Sequence, residues 1–116
     1  MSIQRLHVGP RLSEAAIHNG VVYLAGQVAE DSSLDITGQT QQVLAAIDRL
    51  LAEAGSDKTL VLQATIFLKT LADFPGMNAV WDRWVVHGHT PPRATVEAKL
   101  AKPEYLVEVK IIAAQR

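Results

Sequence analysis

The sequence contains no cysteine, and this absence excludes two kinds of small protein. The chain can form neither a disulfide scaffold nor a zinc site with cysteine ligands. Long hydrophobic runs are missing as well, since no apolar stretch approaches the ~18 residues of a transmembrane helix. The opening residues, Met-Ser-Ile-Gln-Arg-Leu-His, also lack the apolar stretch and small-residue cleavage site of a signal peptide. We therefore expect a cytoplasmic protein with no membrane partner.

An excess of positive charge is also missing. Lys and Arg number 11 against 12 Asp and Glu, which gives a formal net charge of −1, and the basic residues are scattered along the chain. Affinity for nucleic acid depends largely on neutralising phosphates, so this balance disfavours a nucleic-acid partner. The sequence also lacks the glycine-rich nucleotide-binding motifs, the His-Glu-x-x-His zinc motif and the Gly-x-Ser-x-Gly nucleophile motif.

The chain does carry enough apolar sequence to build a core. It has 116 residues, 48% of them hydrophobic, a composition that excludes a disordered protein. No repeat, low-complexity tract or linker interrupts it, so we expect residues 1–116 to form one domain. The hydrophobic patterning predicts the order β-β-β-α-β-α-β-β, an α+β fold with two helices on one face of a mixed, six-stranded sheet. The predicted strands span residues 3–8, 13–18, 21–28, 60–68, 94–100 and 105–114.

Two glycine positions in the first half of the chain predict local geometry. Asn19-Gly20 separates two strand-like runs, and these residue types tolerate the positive φ angles of a type I′ hairpin turn. Gly26 lies inside the third predicted strand. A glycine there suggests a bulge, or a place where another group comes close to the backbone.

Two segments have the spacing of amphipathic helices. The first is capped by Thr37 or Asp35, and Gly55 follows its last turn. The second begins at residues 71–74, and the Thr90-Pro91-Pro92 sequence after it cannot continue a helix. The apolar stripe of the first helix is Val43, Leu44, Ile47, Leu50, Leu51 and Ala54, and that of the second is Phe74, Met77, Trp81, Trp84 and Val85.

Arg93 and Glu108 are the charged residues that the pattern leaves unexplained. Arg93 follows two prolines at the start of a strand, and a rigidly held guanidinium suits bidentate capture of a carboxylate. The alternative is an ordinary solvated arginine. Glu108 lies within an apolar strand, where an unpaired charge is costly. It either serves a function or forms an ion pair with Lys110, Lys99 or Arg93.

The register of the last two strands decides whether these two residues meet. If the strands form a hairpin centred near Pro103, Arg93 pairs with about residue 113 and Glu108 with about residue 98. The two side chains then lie ~16 Å apart along the sheet and on opposite faces. A site that uses both would most simply take them from different subunits.

The histidines offer a weaker indication of chemistry. His87 and His89 could share a metal ion, but two histidines without a third ligand nearby are more typical of a helix-ending loop. His7 and His18 lie in strand-like runs with no partner in sequence. We expect structural roles for these two residues, and no bound metal.

Several short segments, in one order over nearly the whole chain, resemble a known family. They are Gly26-Gln27, Gln39-Thr40, Ile47-Asp48 with Gly55, Thr65-Ile66-Phe67-Leu68, Asp73-Phe74, Met77-Asn78-x-x-Trp81, Pro92-Arg93-Ala94-Thr95-Val96 and Val107-Glu108-Val109. Together they are similar to the YjgF/YER057c/UK114 family, the reactive intermediate deaminases (RidA). The Trp81-Asp82-x-Trp84-Val85 segment resembles a YoaB-like branch of that family.

The resemblance implies a chorismate-mutase-like α+β protomer that forms a homotrimer with three clefts between subunits. It also implies hydrolysis of reactive enamines and imines, such as 2-aminoacrylate, to 2-keto acids and ammonia without a cofactor. By this resemblance Arg93 binds the substrate carboxylate and Glu108 orients the attacking water. Asn78 matches the family's asparagine on the second helix, and Gly26 matches a glycine whose backbone lies beside the ligand. Thr95 stands where many members have a cysteine.

Two departures from the family pattern leave alternatives open. The tyrosine that often walls the pocket is here Leu12, and the serine before the Gly-Gln pair is Ala25. Their loss puts the substrate range and the rate in question, so a non-catalytic trimer that binds 2-keto acids remains an alternative. An endoribonuclease, a label often attached to the family, would need a cationic groove and a general acid/base pair, and neither is visible in the sequence.

Overall fold

A computed structural model of the chain describes residues 2–116. The described residues form seven strands, two α-helices and two short 3-10 turns. The strands are β1 (Gln4–Val8), β2 (Ser13–His18), β3 (Val21–Leu24), β4 (Gln27–Val28), β5 (Val61–Leu68), β6 (Arg93–Glu97) and β7 (Val107–Ala114), and the helices are α1 (Ile36–Glu53) and α2 (Phe74–Trp84). The predicted element order is confirmed, with one strand more than predicted. Among the described residues, no helix is long and apolar enough to cross a membrane.

The first three strands form an antiparallel meander at one edge of the sheet. The β2–β3 hairpin turns at Asn19 (φ 53°) and Gly20 (φ 75°), which confirms the predicted I′-type turn. The third predicted strand is interrupted at residues 25–26, so that β3 and β4 are separate strands that both pair with β7. The interruption lies at Gly26, where the sequence predicts a bulge or a close approach to the backbone.

The last two strands do not form the hairpin on which the register estimate depends. The sheet order is β1-β2-β3-β7-β5-β6, so β5 lies between β6 and β7. Helix α2 carries the chain across the sheet, and β6 therefore returns parallel to β5. Residues 98–106 then pass around the end of β5, where Ala98 N–H donates to Leu68 O and Lys69 N–H donates to Leu106 O. The chain thus enters the sheet as β7 on the far side of β5, antiparallel to it.

Each helix begins or ends as its sequence predicts. Asp35 caps α1, since its carboxylate accepts a hydrogen bond from Gly38 N–H at 2.9 Å. Gly55 follows the last turn with φ of 76°, a value that suits glycine. Helix α2 ends at Trp84, before the prolines.

The two sides of the sheet have different environments. On the helix face, which α1 and α2 cover, alternate residues of the central strands are fully buried: Ala64, Ile66 and Leu68 of β5, and Val107, Val109 and Ile111 of β7. On the open face lie the residues between them, Thr65, Phe67, Glu108 and Lys110, which are at least partly exposed. Because side chains alternate along a strand, the position of a charged residue in β5 or β7 determines whether it lies on the helix face or on the open face.

A buried glutamine joins α1 to the two loops that flank it. Gln39 is 0% exposed. Its Nε2 donates to the carbonyl oxygens of Ser32, Leu34 and Glu104 at 3.0–3.1 Å, and its Oε1 accepts from Leu106 N–H at 2.9 Å. The buried Gln39 side chain thus has both of its polar atoms hydrogen-bonded and ties α1 to the backbone before α1 and the backbone before β7.

Replacing Gln39 with Leu removes these four bonds and leaves the four backbone groups without this partner. We expect the variant to lose about 3 kcal/mol of unfolding free energy, measured by urea denaturation at fixed protein concentration. Gln41→Leu, an exposed position on the same helix, is the matched control and should change stability by less than about 0.5 kcal/mol. Equal stability of the two variants would contradict the role assigned to Gln39.

Candidate functional site

Arg93 lies at the start of edge strand β6, on the helix face. It pairs in register with Ala64, a buried residue of that face. Its guanidinium carbon lies over the ring of Phe74 at 5.7 Å and over the ring of Trp81 at 5.2 Å, both on α2. Burial lowers the pKa of Arg93 below its ordinary value, and the nearby Asp82 carboxylate opposes that shift. The group remains a cation because an arginine pKa lies far above neutral pH.

Two buried polar atoms without partners lie on the elements that flank Arg93. Asn78 follows Phe74 by one helical turn on α2, and Thr95 follows Arg93 by two residues on β6, so each shares a face with its neighbour. The Oδ1 atom of Asn78 and the Oγ1 atom of Thr95 are buried and have no hydrogen-bond partner among residues 2–116. Unsatisfied buried polar atoms are uncommon, and one explanation is a ligand that supplies the missing partner. We call Arg93, Asn78 and Thr95 the arginine cluster.

Glu108 lies on the open face of β7, between the buried residues Val107 and Val109. Its carboxylate lies directly against Gly26: a Cβ atom added to that glycine would stand 2.0 Å from Glu108 Oε2. The close approach to the backbone that the sequence predicts at Gly26 is therefore made by Glu108.

No ion pair or hydrogen bond of the Glu108 side chain occurs within residues 2–116. The ion pairs of these residues are His7–Glu53 and Arg116–Asp57, so the alternatives that pair Glu108 with Lys110, Lys99 or Arg93 are not realised. Glu108 instead lines a small cavity of about 250 Å³, together with Phe67 and residues 98–101. Lys99 lines the same cavity without forming an ion pair with Glu108, so the carboxylate keeps its oxygens free for a ligand or a water.

Leu12 lies in the loop before β2 and is 58% exposed. Strands β2 and β7 run in the same direction, because each is antiparallel to β3, so this loop is at the end of the sheet where β7 begins. Leu12 therefore shares one end of the sheet with Gly26 and Glu108. We call Glu108, Gly26 and Leu12 the glutamate cluster.

The two clusters are not joined within one chain. Glu108 pairs with Phe67, and Phe67 pairs with Val96, all on the open face. Arg93 precedes Val96 by three residues and lies on the helix face. The separation is thus about 10 Å along the strands and about 10 Å across them, with the sheet between. The prediction that the two residues face opposite ways is confirmed, although the register that led to it is wrong.

The sequence interpretation placed Phe74 and Trp81 only in the core stripe of α2. The structure adds that their rings cover the guanidinium of Arg93. The sequence pattern likewise assigns Phe67 only to a strand, whereas the structure shows that it lines the cavity beside Glu108. The strand–helix–strand order of β5, α2 and β6 could have indicated this arrangement. If β5 and β6 are parallel neighbours, the helix that connects them packs over β6, where Arg93 lies.

The four histidines lie outside both clusters. His7 Nε2 is 2.6 Å from a Glu53 carboxylate oxygen, and His18 Nδ1 is 3.4 Å from Ser2 O. His87 and His89 are exposed in the loop after α2. In the described part of the chain, no group of three or more His, Asp or Glu side chains is arranged to hold a metal ion.

Comparison with known proteins gives a consistent result. The family model described as "Endoribonuclease L-PSP" matches residues 2–115. A "RutC family protein" of Haemophilus ducreyi is 50% identical over 112 residues, covering 97% of this chain and 96% of that protein. The "RutC family protein YoaB" of Escherichia coli K12 is 47% identical over 114 residues, covering 98% of this chain and 99% of that protein.

Solved structures agree with the sequence relatives. NMB1025 of Neisseria meningitidis, described as a member of the YjgF protein family, superposes with a TM-score of 0.97 at 51% identity, covering 100% of this chain and 97% of that one. Rv2704 of Mycobacterium tuberculosis, described as a member of the YjgF/YER057c/UK114 family, has the same fold with a TM-score of 0.88. It is 23% identical, and the match covers 97% of this chain and 99% of that one. The resemblance drawn from the sequence is confirmed. The chain belongs to the YjgF/YER057c/UK114 (RutC, L-PSP) family, in a YoaB-like branch.

Proposed function

We propose that the protein hydrolyses reactive 2-enamine and 2-imine acids, of the 2-aminoacrylate type, to 2-keto acids and ammonia. The observation that carries this proposal is a pair of opposite charges without partners. The guanidinium of Arg93 and the carboxylate of Glu108 are both partly buried, and neither has an ion-pair partner within residues 2–116. An acid-binding cation and a proton-accepting anion are the two groups that this reaction requires.

Arg93 is the group that fixes the substrate. Its guanidinium presents N–H donors in a planar fork that matches the two oxygens of a carboxylate. Asn78 Oδ1 and Thr95 Oγ1, which lack partners, are available to the rest of a small 2-imino acid. Binding the carboxylate in one orientation presents the imine carbon in a constant geometry to the attacking water.

Glu108 is the group that acts on water. A protonated imine is already electrophilic, so hydrolysis needs only a positioned water and a proton acceptor, with no cofactor. As the water oxygen bonds to the imine carbon, Glu108 accepts one of its protons. Return of that proton to the nitrogen of the resulting carbinolamine makes ammonia the leaving group. As the C–N bond breaks and ammonia leaves, the hydroxyl oxygen forms the carbonyl of the 2-keto acid and Glu108 accepts the hydroxyl proton.

The proposal requires the two clusters to come from different copies of the chain. Within one chain the sheet lies between them, so an interface must bring the helix-face edge of one copy to the open face of another. Exposed apolar side chains on the sheet, Tyr23, Leu62 and Val96, are each more than 40% exposed and support burial against another copy. We propose the homotrimer that the family resemblance implies, with three such sites at its subunit junctions.

A trimer that binds 2-keto acids without catalysis is the second candidate, and one feature of the glutamate cluster favours it. Leu12 and Ala25 provide no hydroxyl group at the end of the sheet where Glu108 lies. Fewer donors there leave the attacking water held by fewer hydrogen bonds. Saturable pyruvate binding with no acceleration of imine hydrolysis would favour this candidate, and strongly salt-dependent RNA binding would instead favour a ribonuclease.

The first test replaces the cation. Arg93→Ala should lower the rate of imine hydrolysis above the spontaneous rate, for imino acids generated in situ by an amino-acid oxidase, by at least about 100-fold, equivalent to about 2.7 kcal/mol of transition-state stabilisation. Arg93→Lys keeps the charge but lacks the planar fork of N–H donors, so we expect its rate of imine hydrolysis to fall by about 10-fold. Arg83→Ala, an exposed cation on α2, is the matched control. Unchanged activity of Arg93→Ala would refute the proposal.

The second test replaces the proton acceptor. Glu108→Gln keeps the shape of the side chain but removes the base, so we expect kcat to fall by about 100-fold while pyruvate still binds through Arg93. Glu104→Gln, an exposed glutamate in the preceding loop, should retain activity. A Glu108→Gln enzyme with wild-type kcat would show that this carboxylate takes no part.

The third test moves the carboxylate without changing its chemistry. In Gly26→Ala the new methyl group would stand 2.0 Å from Glu108 Oε2, so the carboxylate must rotate away. We expect kcat to fall by about 10-fold or more with little loss of stability, because the obstructing atom ends a flexible side chain. A crystal structure should show Glu108 displaced. An undisplaced carboxylate, or a displaced one with full activity, would contradict the assignment.

A further inference from the structure

The guanidinium of Arg93 is held by aromatic rings and not by hydrogen bonds. No described residue of 2–116 forms a side-chain hydrogen bond or an ion pair with it. The rings of Phe74 and Trp81 lie against it instead, at 5.7 and 5.2 Å from the guanidinium carbon. Rings attract a cation through their electron-rich faces, and they offer no acceptor to the N–H groups at its edge.

Trp81 is itself held in place by a second tryptophan. The ring of Trp84 lies 5.2 Å from that of Trp81, tilted by 45°. The Nε1 atom of Trp84 donates to both carboxylate oxygens of Asp48 on α1, each at 3.1 Å, and the ammonium of Lys58 lies 5.7 Å from its ring centre. A chain of contacts therefore runs from Asp48 through Trp84 and Trp81 to Arg93.

We propose that Phe74 and Trp81 form an aromatic clamp that fixes the plane of the Arg93 guanidinium, and that Trp84 and Asp48 anchor this clamp to α1. The inference rests on the proposed role of Arg93 as the carboxylate anchor and adds positioning residues to it. It also gives the Trp81-Asp82-x-Trp84 segment a function: the first tryptophan covers the cation, and the second ties the first to the other helix.

The physical reason is preorganisation. A free arginine side chain populates many rotamers, and binding a carboxylate bidentately selects one of them at an entropic cost. Rings packed against the guanidinium restrict its orientation before the ligand arrives and occupy none of its N–H donors. Removal of the clamp should therefore weaken carboxylate binding and leave the chemistry at Glu108 unchanged.

The experiment compares Trp81→Leu, Trp81→Phe and Phe74→Leu with Val80→Ala in the full-length protein. Val80 is a buried residue of α2 that lines a groove with Leu44 and Trp84 on the α1 side, so it controls for loss of core packing. Two quantities are measured: the mobility of the Arg93 Nε–H group by ¹⁵N NMR relaxation without ligand, and the affinity for pyruvate by calorimetry.

We expect Trp81→Leu to make the Arg93 Nε–H group mobile, to weaken pyruvate binding by about 10-fold and to leave kcat within about 3-fold of wild type. Trp81→Phe retains a ring and should restore most of the affinity, within about 3-fold of wild type. Phe74 is half-buried, so Phe74→Leu should fold even if Trp81→Leu does not. We expect it, too, to increase the mobility of Arg93 Nε–H and to weaken pyruvate binding. Asp48→Ala should weaken binding by about 2-fold.

The inference is overturned if Trp81→Leu and Phe74→Leu match Val80→Ala in both Arg93 mobility and pyruvate affinity. Failure of the carboxylate-binding role of Arg93 gives a different result, because Arg93→Ala would then bind pyruvate as well as wild type does, and failure of catalysis alone would leave pyruvate binding intact but imine hydrolysis unaccelerated. Even in that case the Nε–H relaxation, which needs no ligand, decides whether the rings hold the guanidinium.

Discussion

A single sheet separates the two charged groups on which the proposed reaction depends. Side chains of a strand alternate between its faces, and this alternation places Arg93 under the helices and Glu108 on the open side. Each charge is partly removed from water and forms no ion pair within residues 2–116, although Asp82 lies near Arg93 and Lys99 lines the cavity beside Glu108. Because partial burial of a charge without an ion pair is unfavourable, this arrangement supports the proposal that a ligand and a second copy of the chain complete the site.

Local chemistry is what the sequence predicts well. The Asn19-Gly20 turn, the Asp35 cap and the glycine after α1 each depend on the residues of one segment and are confirmed. The close approach at Gly26 was also predicted, although its cause was not, since Glu108 lies more than 80 positions away along the chain.

Long-range pairing is what the sequence alone could not give. A hairpin between the last two strands is the simplest choice for neighbours in sequence, but β7 passes around β5 and enters the sheet on its far side. Nothing in residues 98–106 taken alone encodes that passage, because it depends on the parallel pairing of β6 with β5. The same error concealed the rings of Phe74 and Trp81, which cover Arg93 only in the true topology. The pattern of the sequence singled out Arg93, Glu108 and Gly26, the family resemblance added Asn78, Thr95 and Leu12, and the structure supplies their surroundings.

The central claim is that each site combines Arg93 of one subunit with Glu108 of another, and mixing two inactive variants tests it most directly. Arg93→Ala and Glu108→Gln chains are unfolded together in equal amounts and refolded into mixed trimers. About three-quarters of the trimers then contain both chains, and each of these has one site in three with both groups intact. The account predicts recovery of about one quarter of the wild-type imine hydrolysis. Activity no higher than that of the separate variants would contradict it.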